Sequence, residues 1–192
     1  MIVALAGRRI DARGARVARF PLGNVPLVRE RIRLALLDLD ARTVVCSAAA
    51  GADLLALEVA STLGLRRFVV LPYARERFRQ HSVIDRPGDW EASFLRVCRE
   101  QRELGGLRTL RMRGTFHESS RRASRVILDD AQALGAYGTH GVGRGLVQGA
   151  QEERVTAVVV WDGTVRGASD LTADFAAEAR RRGLPVVEVP TV

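Results

Sequence analysis

The sequence predicts an α/β fold: a three-layer, Rossmann-like domain whose central, mostly parallel sheet is flanked by helices. Short apolar runs typical of strands buried on both faces recur along the chain. Segments with apolar residues at helical spacing separate these runs. Strand–helix–strand units of this length form right-handed crossovers, which give a parallel sheet. A chain of 192 residues normally builds one core, so we expect a single domain over residues 1–192.

The first half of the chain alternates strands with helices. Residues 2–6 are a continuous apolar run and predict the first strand. The second and third strands are predicted at 43–46 and 67–71. The helix predicted between the first two strands covers 26–40 and keeps its charged residues away from its apolar stripe. The next helix is predicted over 51–64 and ends at a glycine, as many helices do.

The middle of the chain is less regular. Residues 73–86 are rich in arginine without a clear period, which predicts a loop over the sheet edge. A helix follows from about Asp89 to the glycine pair at 105–106. A weak strand is predicted at 107–112 and an amphipathic helix at 115–134. The glycine-rich segment 135–149 receives no assignment.

The last part of the chain contains the clearest strand after the first. This strand is predicted at 155–161 and is followed by Asp162 and Gly163. Ser169 or Asp170 is suited to cap the next helix. Gly183 closes that helix, and a final strand is predicted at 185–189.

The basic residues favour a solvated surface over a nucleic-acid groove. All 30 are arginines, they give a net charge of +8, and they are scattered through every segment. Nucleic-acid sites more often interleave basic residues with aromatic ones, so we expect no nucleic-acid partner. No apolar run reaches the ~18 residues of a membrane span, so we also expect no membrane association. The N-terminal charges follow the apolar run, unlike a secretory signal, and we expect a cytoplasmic protein.

The cysteines and histidines do not predict a metal site. Cys46 lies in a predicted strand and Cys98 in a predicted helix, so both are expected to be buried free thiols. His81, His117 and His140 lack the spacing of zinc ligands. We therefore expect no metal.

Three predicted strands end in small or polar residues. Because the strands are parallel, these ends share one edge of the sheet, where α/β proteins bind their ligands. The candidate ligand-binding residues at these ends are Gly7, Arg8, Arg9, Ser47, Ala50, Gly51, Ala52, Asp53, Asp162 and Gly163.

The turn after the second strand resembles a phosphate site. The Ser47 hydroxyl and the amides around Ala50 and Ala52 are suited to hold a phosphate, and Gly51 lets a ligand approach the backbone. The arginines after the first strand would neutralise its charge, and Asp53 or Asp162 would bind a ribose. A tight, well-packed turn explains the same small residues, and neither a dinucleotide fingerprint nor a Walker loop is present.

Three further residues have open roles. Glu58 lies on the apolar side of its predicted helix and needs a partner, for which Arg8 and Ser82 are candidates. Thr172 and Asp174 would bind a ribose or a base edge, or cap their helix. No nucleophile elbow is present, which disfavours a covalent hydrolase.

Several motifs together resemble the SLOG superfamily of Rossmann-like domains, and the likeness covers most of the chain. Many members carry a glycine–histidine pair after the first strand, where this chain has Gly7 and Arg8. The most specific motif is the one at 47–55. The matching stretches are AGRRID at 6–11, RFP at 19–21, SAAAGADLL at 47–55 with Glu58, LPY at 71–73, Phe78, Ser82–Val83, Trp90, WDG at 161–163 and TADF at 172–175.

The resemblance implies a pocket for a nucleotide-derived ligand such as ADP-ribose, an NAD-related molecule or a cyclic nucleotide. The matching positions would form this pocket, with Ser82 among its ligand-binding residues. The superfamily includes nucleotide sensors of bacterial conflict systems, which act with effector proteins. An effector partner and a homo-oligomer are therefore expected, and no cofactor beyond the ligand. The superfamily also includes the lonely-guy phosphoribohydrolases, whose P-G-G-x-G-T-x-x-E motif this chain lacks.

That missing motif favours a sensor over an enzyme. The first alternative is hydrolysis of a nucleotide N-glycosidic bond, with Glu58 or Asp162 stabilising the oxocarbenium-like transition state. The second alternative is nucleic-acid binding through surface arginines, which predicts affinity that falls steeply with salt.

Overall fold

The computed structural model describes residues 1–137 and 153–192. Of the glycine-rich segment 135–149, only its first three residues are described, and they end a helix. The strands are β1 (Ile2–Gly7), β2 (Thr43–Cys46), β3 (Arg66–Leu71), β4 (Leu107–Thr109), β5 (Val155–Trp161) and β6 (Val186–Pro190). The helices are α1 (Val25–Asp38), α2 (Ala52–Thr62), α3 (Arg75–Ser82), α4 (Glu91–Glu103), α5 (Phe116–Tyr137) and α6 (Leu171–Arg181).

The strands form one sheet in the order β4-β3-β2-β1-β5-β6. Every pair in it is parallel, which confirms the predicted fold class. The chain proceeds outward from β1 to β4 and then returns to add β5 on the other side of β1. The strand order therefore reverses between β1 and β5, and parallel sheets bind ligands beyond the carboxyl ends of strands at such a point.

Two hydrophobic layers cover the sheet. Helices α1, α2 and α4 pack on one face, where Val28, Ile32 and Leu36 of α1 are buried. Helices α5 and α6 cover the other face through side chains such as Ile127 and Phe175. These are the apolar stripes that the helical spacing predicted. Among the described residues, no helix is both long and apolar enough to cross a bilayer.

The prediction of a loop over 73–86 is wrong, because helix α3 occupies much of this segment. Only Phe78 and Ser82 of α3 are buried, one helical turn apart. The Phe78 ring stacks on Phe94 of α4 with 5.9 Å between ring centroids. One apolar side chain in two turns gives too weak a periodicity to predict a helix, and tertiary packing supplies the stability.

Most other predicted elements agree with the structure within a few residues. The predicted strand at 107–112 is shorter than expected and ends at Thr109. Beyond it, Leu110 and Met112 still donate backbone hydrogen bonds to Leu71 and Pro72. The predicted cap of the last helix is confirmed, since the Asp170 carboxylate accepts from two amides of the first turn of α6.

Candidate functional site

A cavity of about 540 Å³ opens at the carboxyl edge of the sheet, above the ends of β1, β2 and β3. Helices α3 and α5 and the segment between β5 and α6 complete its walls. Its volume lies in the usual range of small-molecule pockets, about 300–1,000 Å³. Its charged and polar lining residues are Arg9, Asp11, Ser47, Asp53, Ser82, Arg86, His117, Ser120, Ser124, Arg166, Ser169 and Thr172. Gly7 also lines it.

The turn before α2 is occupied by its own backbone contacts. The Ala50 amide donates to the Ser82 carbonyl at 2.8 Å, and the Ala52 amide donates to the Arg8 carbonyl at 3.1 Å. Gly51 forms a bridge with Arg9. The amides of Ala50 and Ala52 are therefore not free to hold a phosphate, contrary to the prediction.

Glycine is required at position 51 for packing. Its φ of 118° is a conformation that other residues rarely adopt. A Cβ atom there would also lie 2.8 Å from the Arg8 carbonyl oxygen and from the Ile10 amide nitrogen. The turn thus brings the loops after β1 and β2 together. The second of the two sequence interpretations, a tight and well-packed turn, accounts for Gly51.

Arg8 points away from the cavity lining and is 1% exposed. Its Nε donates to Asp162 at 2.8 Å, its Nη1 to Asp170 at 2.5 Å, and its Nη2 to the carbonyl of Thr164. Arg19 contacts the other oxygen of Asp162 at 2.6 Å. Burial alone would lower the pKa of Arg8, but these hydrogen bonds outweigh it and the pKa is raised. Arg8 therefore ties β1 to the segment after β5.

Arg9 faces the cavity. Its Nη1 donates to both oxygens of Asp85, at 3.0 and 2.8 Å, and to the His81 carbonyl at 3.0 Å. The Nε of Arg86 lies 3.5 Å from the same Asp85 carboxylate. Burial, followed by the charge of Arg9, lowers the pKa of Arg86. Two guanidinium groups thus lie close together on one wall.

Asp53 is a carboxyl group at the cavity floor and is 8% exposed. Burial raises its pKa to about 7, although the amide of Ala49 and the charge of Arg9 both favour the carboxylate. The Ala49 amide lies 3.2 Å from Oδ2. Below about pH 7 the uncharged form of this group predominates, and that form does not repel an anionic ligand. Titratable groups with shifted pKa values in a cleft are typical of functional sites.

The opposite wall comes from α5 and the segment before α6. The His117 ring joins the two through Nε2, which lies 2.7 Å from the Ser169 carbonyl. Arg166 adds a third guanidinium group to the lining. The Phe116 ring is 38% exposed and lies 6.0 Å from the Arg9 guanidinium carbon. This wall therefore offers an aromatic surface beside positive charge.

Glu58 lies outside the cavity lining. Its carboxylate accepts from the Ser93 hydroxyl at 2.5 Å and pairs with Arg29 at 2.7 Å and with Arg96 at 3.4 Å. Neither Arg8 nor Ser82, the two candidates from the sequence, is its partner. The alternative of a simple salt bridge accounts for this residue.

The structure brings together only part of the predicted site. Asp162 and Gly163 do not line the cavity, and Asp174 pairs with Arg121 at 2.9 Å. Thr172 does line it, and its amide donates to the cap residue Asp170. Of the predicted binding residues, six line the cavity: Gly7, Arg9, Ser47, Asp53, Ser82 and Thr172. The others do not: Arg8, Ala50, Gly51, Ala52, Asp162, Gly163 and Asp174.

Sequence reasoning missed Arg86, Arg166 and Phe116. Arg86 lies four residues beyond the end of α3, and only the fold turns it toward the β1 loop. Phe116 begins α5, where its apolar character predicts burial and not a place on a cavity wall. A useful signal was available for Arg86, since it ends the segment 73–86, which was predicted to lie over the ligand-binding edge of the sheet.

The site shows no group of three or more histidine, cysteine or acidic residues that could hold a metal, within the part of the chain that the structure describes. The cavity is instead lined by three arginines against two carboxyl groups, Asp11 and Asp53. Comparison with known families and with curated proteins finds no match for the chain.

Proposed function

We propose that the cavity binds a nucleotide-derived ligand such as ADP-ribose, an NAD-related molecule or a cyclic nucleotide. The observation that supports this proposal best is the position and charge of the cavity. It lies beside the point where the strand order reverses, and three guanidinium groups line it. Guanidinium groups bind phosphate oxygens with two parallel hydrogen bonds. The exposed Phe116 ring gives a flat surface for a base.

A sensing role is the form of this proposal that we favour. The resemblance to the SLOG superfamily supports it, as does the location of Glu58, which is engaged with Ser93, Arg29 and Arg96 outside the cavity. In this role the ligand is bound unchanged and its presence is passed to an effector protein.

The experiment is isothermal titration calorimetry with ADP-ribose, NAD, AMP and cyclic nucleotides. At least one of these should bind the protein, and Arg9→Gln should weaken that binding at least about tenfold, because a charge-assisted hydrogen bond contributes about 1.5–3 kcal/mol. Arg33→Gln is the matched control, since Arg33 pairs with Glu30 on the exposed side of α1, away from the cavity. No binding by the whole panel, or equal effects of the two variants, would contradict the proposal.

Hydrolysis of an N-glycosidic bond is a second candidate, and Asp53 is the observation that favours it. Its pKa of about 7 suits general acid or base catalysis near neutral pH. Glu58 and Asp162, the carboxylates suggested by the sequence, are ion-paired outside the cavity lining. Chromatography of the same ligands after incubation separates the candidates: released base indicates an enzyme, and unchanged ligand indicates a sensor.

A further inference from the structure

Among the residues that the structure describes, two buried donor groups of the cavity lining form no hydrogen bond. They are the Oγ of Ser47 and the Nε of Arg86, which lies 3.5 Å from the Asp85 carboxylate without forming a hydrogen bond to it. A buried donor without a partner costs about 1–3 kcal/mol, so such groups are rare in folded proteins and often belong to functional sites. Both belong to the same cavity, although they come from different loops, one after β2 and the other after α3. A ligand that accepts hydrogen bonds would satisfy both.

Arg9 adds further donors to this wall. Within the described residues, all of its guanidinium hydrogen bonds leave from Nη1, toward Asp85 and the His81 carbonyl. The edge formed by Nε and Nη2 has no acceptor in the part of the chain that the structure describes. This is one of the edges with which arginine binds a phosphoryl group through two hydrogen bonds. The guanidinium is therefore fixed at one end and open at the other.

Asp85 fixes that orientation from outside the cavity. Its carboxylate accepts from Arg9 at both oxygens and lies 3.5 Å from Arg86, yet Asp85 is not a lining residue. One carboxylate thus neutralises part of the charge of two neighbouring guanidinium groups, which would otherwise repel each other. Together, Arg9, Arg86 and Asp85 carry one net positive charge, which attracts an anionic ligand.

We propose that Arg9, Arg86 and Ser47 form a subsite for a phosphoryl group, and that Asp85 is the positioning residue that holds Arg9 for it. This inference rests on the proposed nucleotide ligand and assigns where the phosphate of that ligand binds. It also assigns the ligand class more narrowly. The donors are suited to the several oxygens of a phosphate or diphosphate and would leave a neutral nucleoside without its main anchor.

The test uses inorganic pyrophosphate as the probe, measured by calorimetry on the full chain. Arg86→Gln should reduce its affinity at least tenfold. Asp85→Asn should also reduce it several-fold, although this change removes a negative charge and so, by charge alone, would strengthen the binding of an anion. The direction in which Asp85→Asn changes the affinity therefore distinguishes a positioning role from a general effect of charge. Asp89→Asn is the matched control, because Asp89 is exposed in the same segment and makes no ion pair in the described structure.

A double-mutant cycle of Arg9 and Asp85 measures whether their effects on pyrophosphate affinity are coupled. A purely structural role of Asp85 would not produce this coupling. In an Arg9→Gln background, Asp85→Asn should no longer weaken pyrophosphate binding, because the residue that it positions is gone and only the loss of a negative charge beside Arg86 remains. Melting temperatures of all variants verify that they fold. If Asp85→Asn binds pyrophosphate as tightly as the unmodified protein or more tightly, the positioning role is overturned. If Arg86→Gln leaves the affinity for pyrophosphate unchanged, the subsite is overturned.

These outcomes are distinct from a failure of the proposed function. If ADP-ribose or another nucleotide binds while pyrophosphate does not, the phosphoryl subsite is wrong and the proposed function stands. If neither the nucleotides nor pyrophosphate bind, both are wrong.

Discussion

Replacing Arg8 with methionine is expected to lower the free energy of unfolding by about 4 kcal/mol, because it leaves buried charges without their partner. The Asp162 and Asp170 side chains are only 6% and 1% exposed. Methionine keeps most of the apolar volume of the side chain. The decrease in the free energy of unfolding therefore arises mainly from the unpaired charges and less from lost packing. Urea denaturation at pH 7 measures it.

The pH dependence of this loss follows from Asp170. Burial alone would raise its pKa, but hydrogen bonds from Arg8 and from two backbone amides lower it from 3.8 to about 2. The carboxylate thus stabilises the folded protein above pH 4, and this contribution is lost as the pH falls toward 2. The difference between the two proteins should shrink over the same range. Arg33→Met, which removes an exposed ion pair, is the control. Equal stability of the Arg8 variant and the unmodified protein at pH 7 would contradict the account.

Replacing Asp53 with asparagine is expected to stabilise the protein at pH 8 and much less at pH 4. The folded protein holds the pKa of Asp53 near 7, whereas its ordinary value is 3.8. The unmodified protein therefore loses stability as the pH rises between these values, because the carboxylate must form in a buried place. A pKa difference of about three corresponds to about 4 kcal/mol, which is the upper limit of the gain. Asparagine retains an oxygen to accept from the Ala49 amide.

Denaturation curves of both proteins from pH 4 to 8 measure this gain. Their difference should grow up to pH 7 and then level off. Asp38→Asn, at the exposed end of α1, is the control for a change of net charge. A difference that stays constant with pH would show that Asp53 titrates normally.

The sequence predicted the sheet well, because apolar strands and amphipathic helices are local patterns. It did not predict α3, whose stability depends on Phe78 stacking against a helix that comes later in the chain. The site depends even more on distant contacts. Arg8 and Arg9 are neighbours in sequence, yet one pairs with carboxylates beyond β5 and the other faces the cavity. Nothing in their local pattern distinguishes them.

The same limit applies to the glycine turn. The small residues at 50–52 suggested exposed amides, but two of these amides donate to the carbonyls of Arg8, just after β1, and of Ser82, the last residue of α3. Ser47 and Asp53, by contrast, were correctly placed at the cavity, because Ser47 directly follows β2 and Asp53 lies in the first turn of α2 at the same sheet edge. Positions fixed by a strand end were predictable, and positions fixed by contacts between loops were not.

The most direct test of the proposed nucleotide site is a crystal structure of the protein with the tightest-binding ligand of the calorimetric panel. We expect electron density for that ligand at the carboxyl ends of β1 and β2, with its phosphate oxygens within hydrogen-bond distance of Arg9 and Arg86. Density for the ligand elsewhere on the protein, with this cavity empty, would contradict the account.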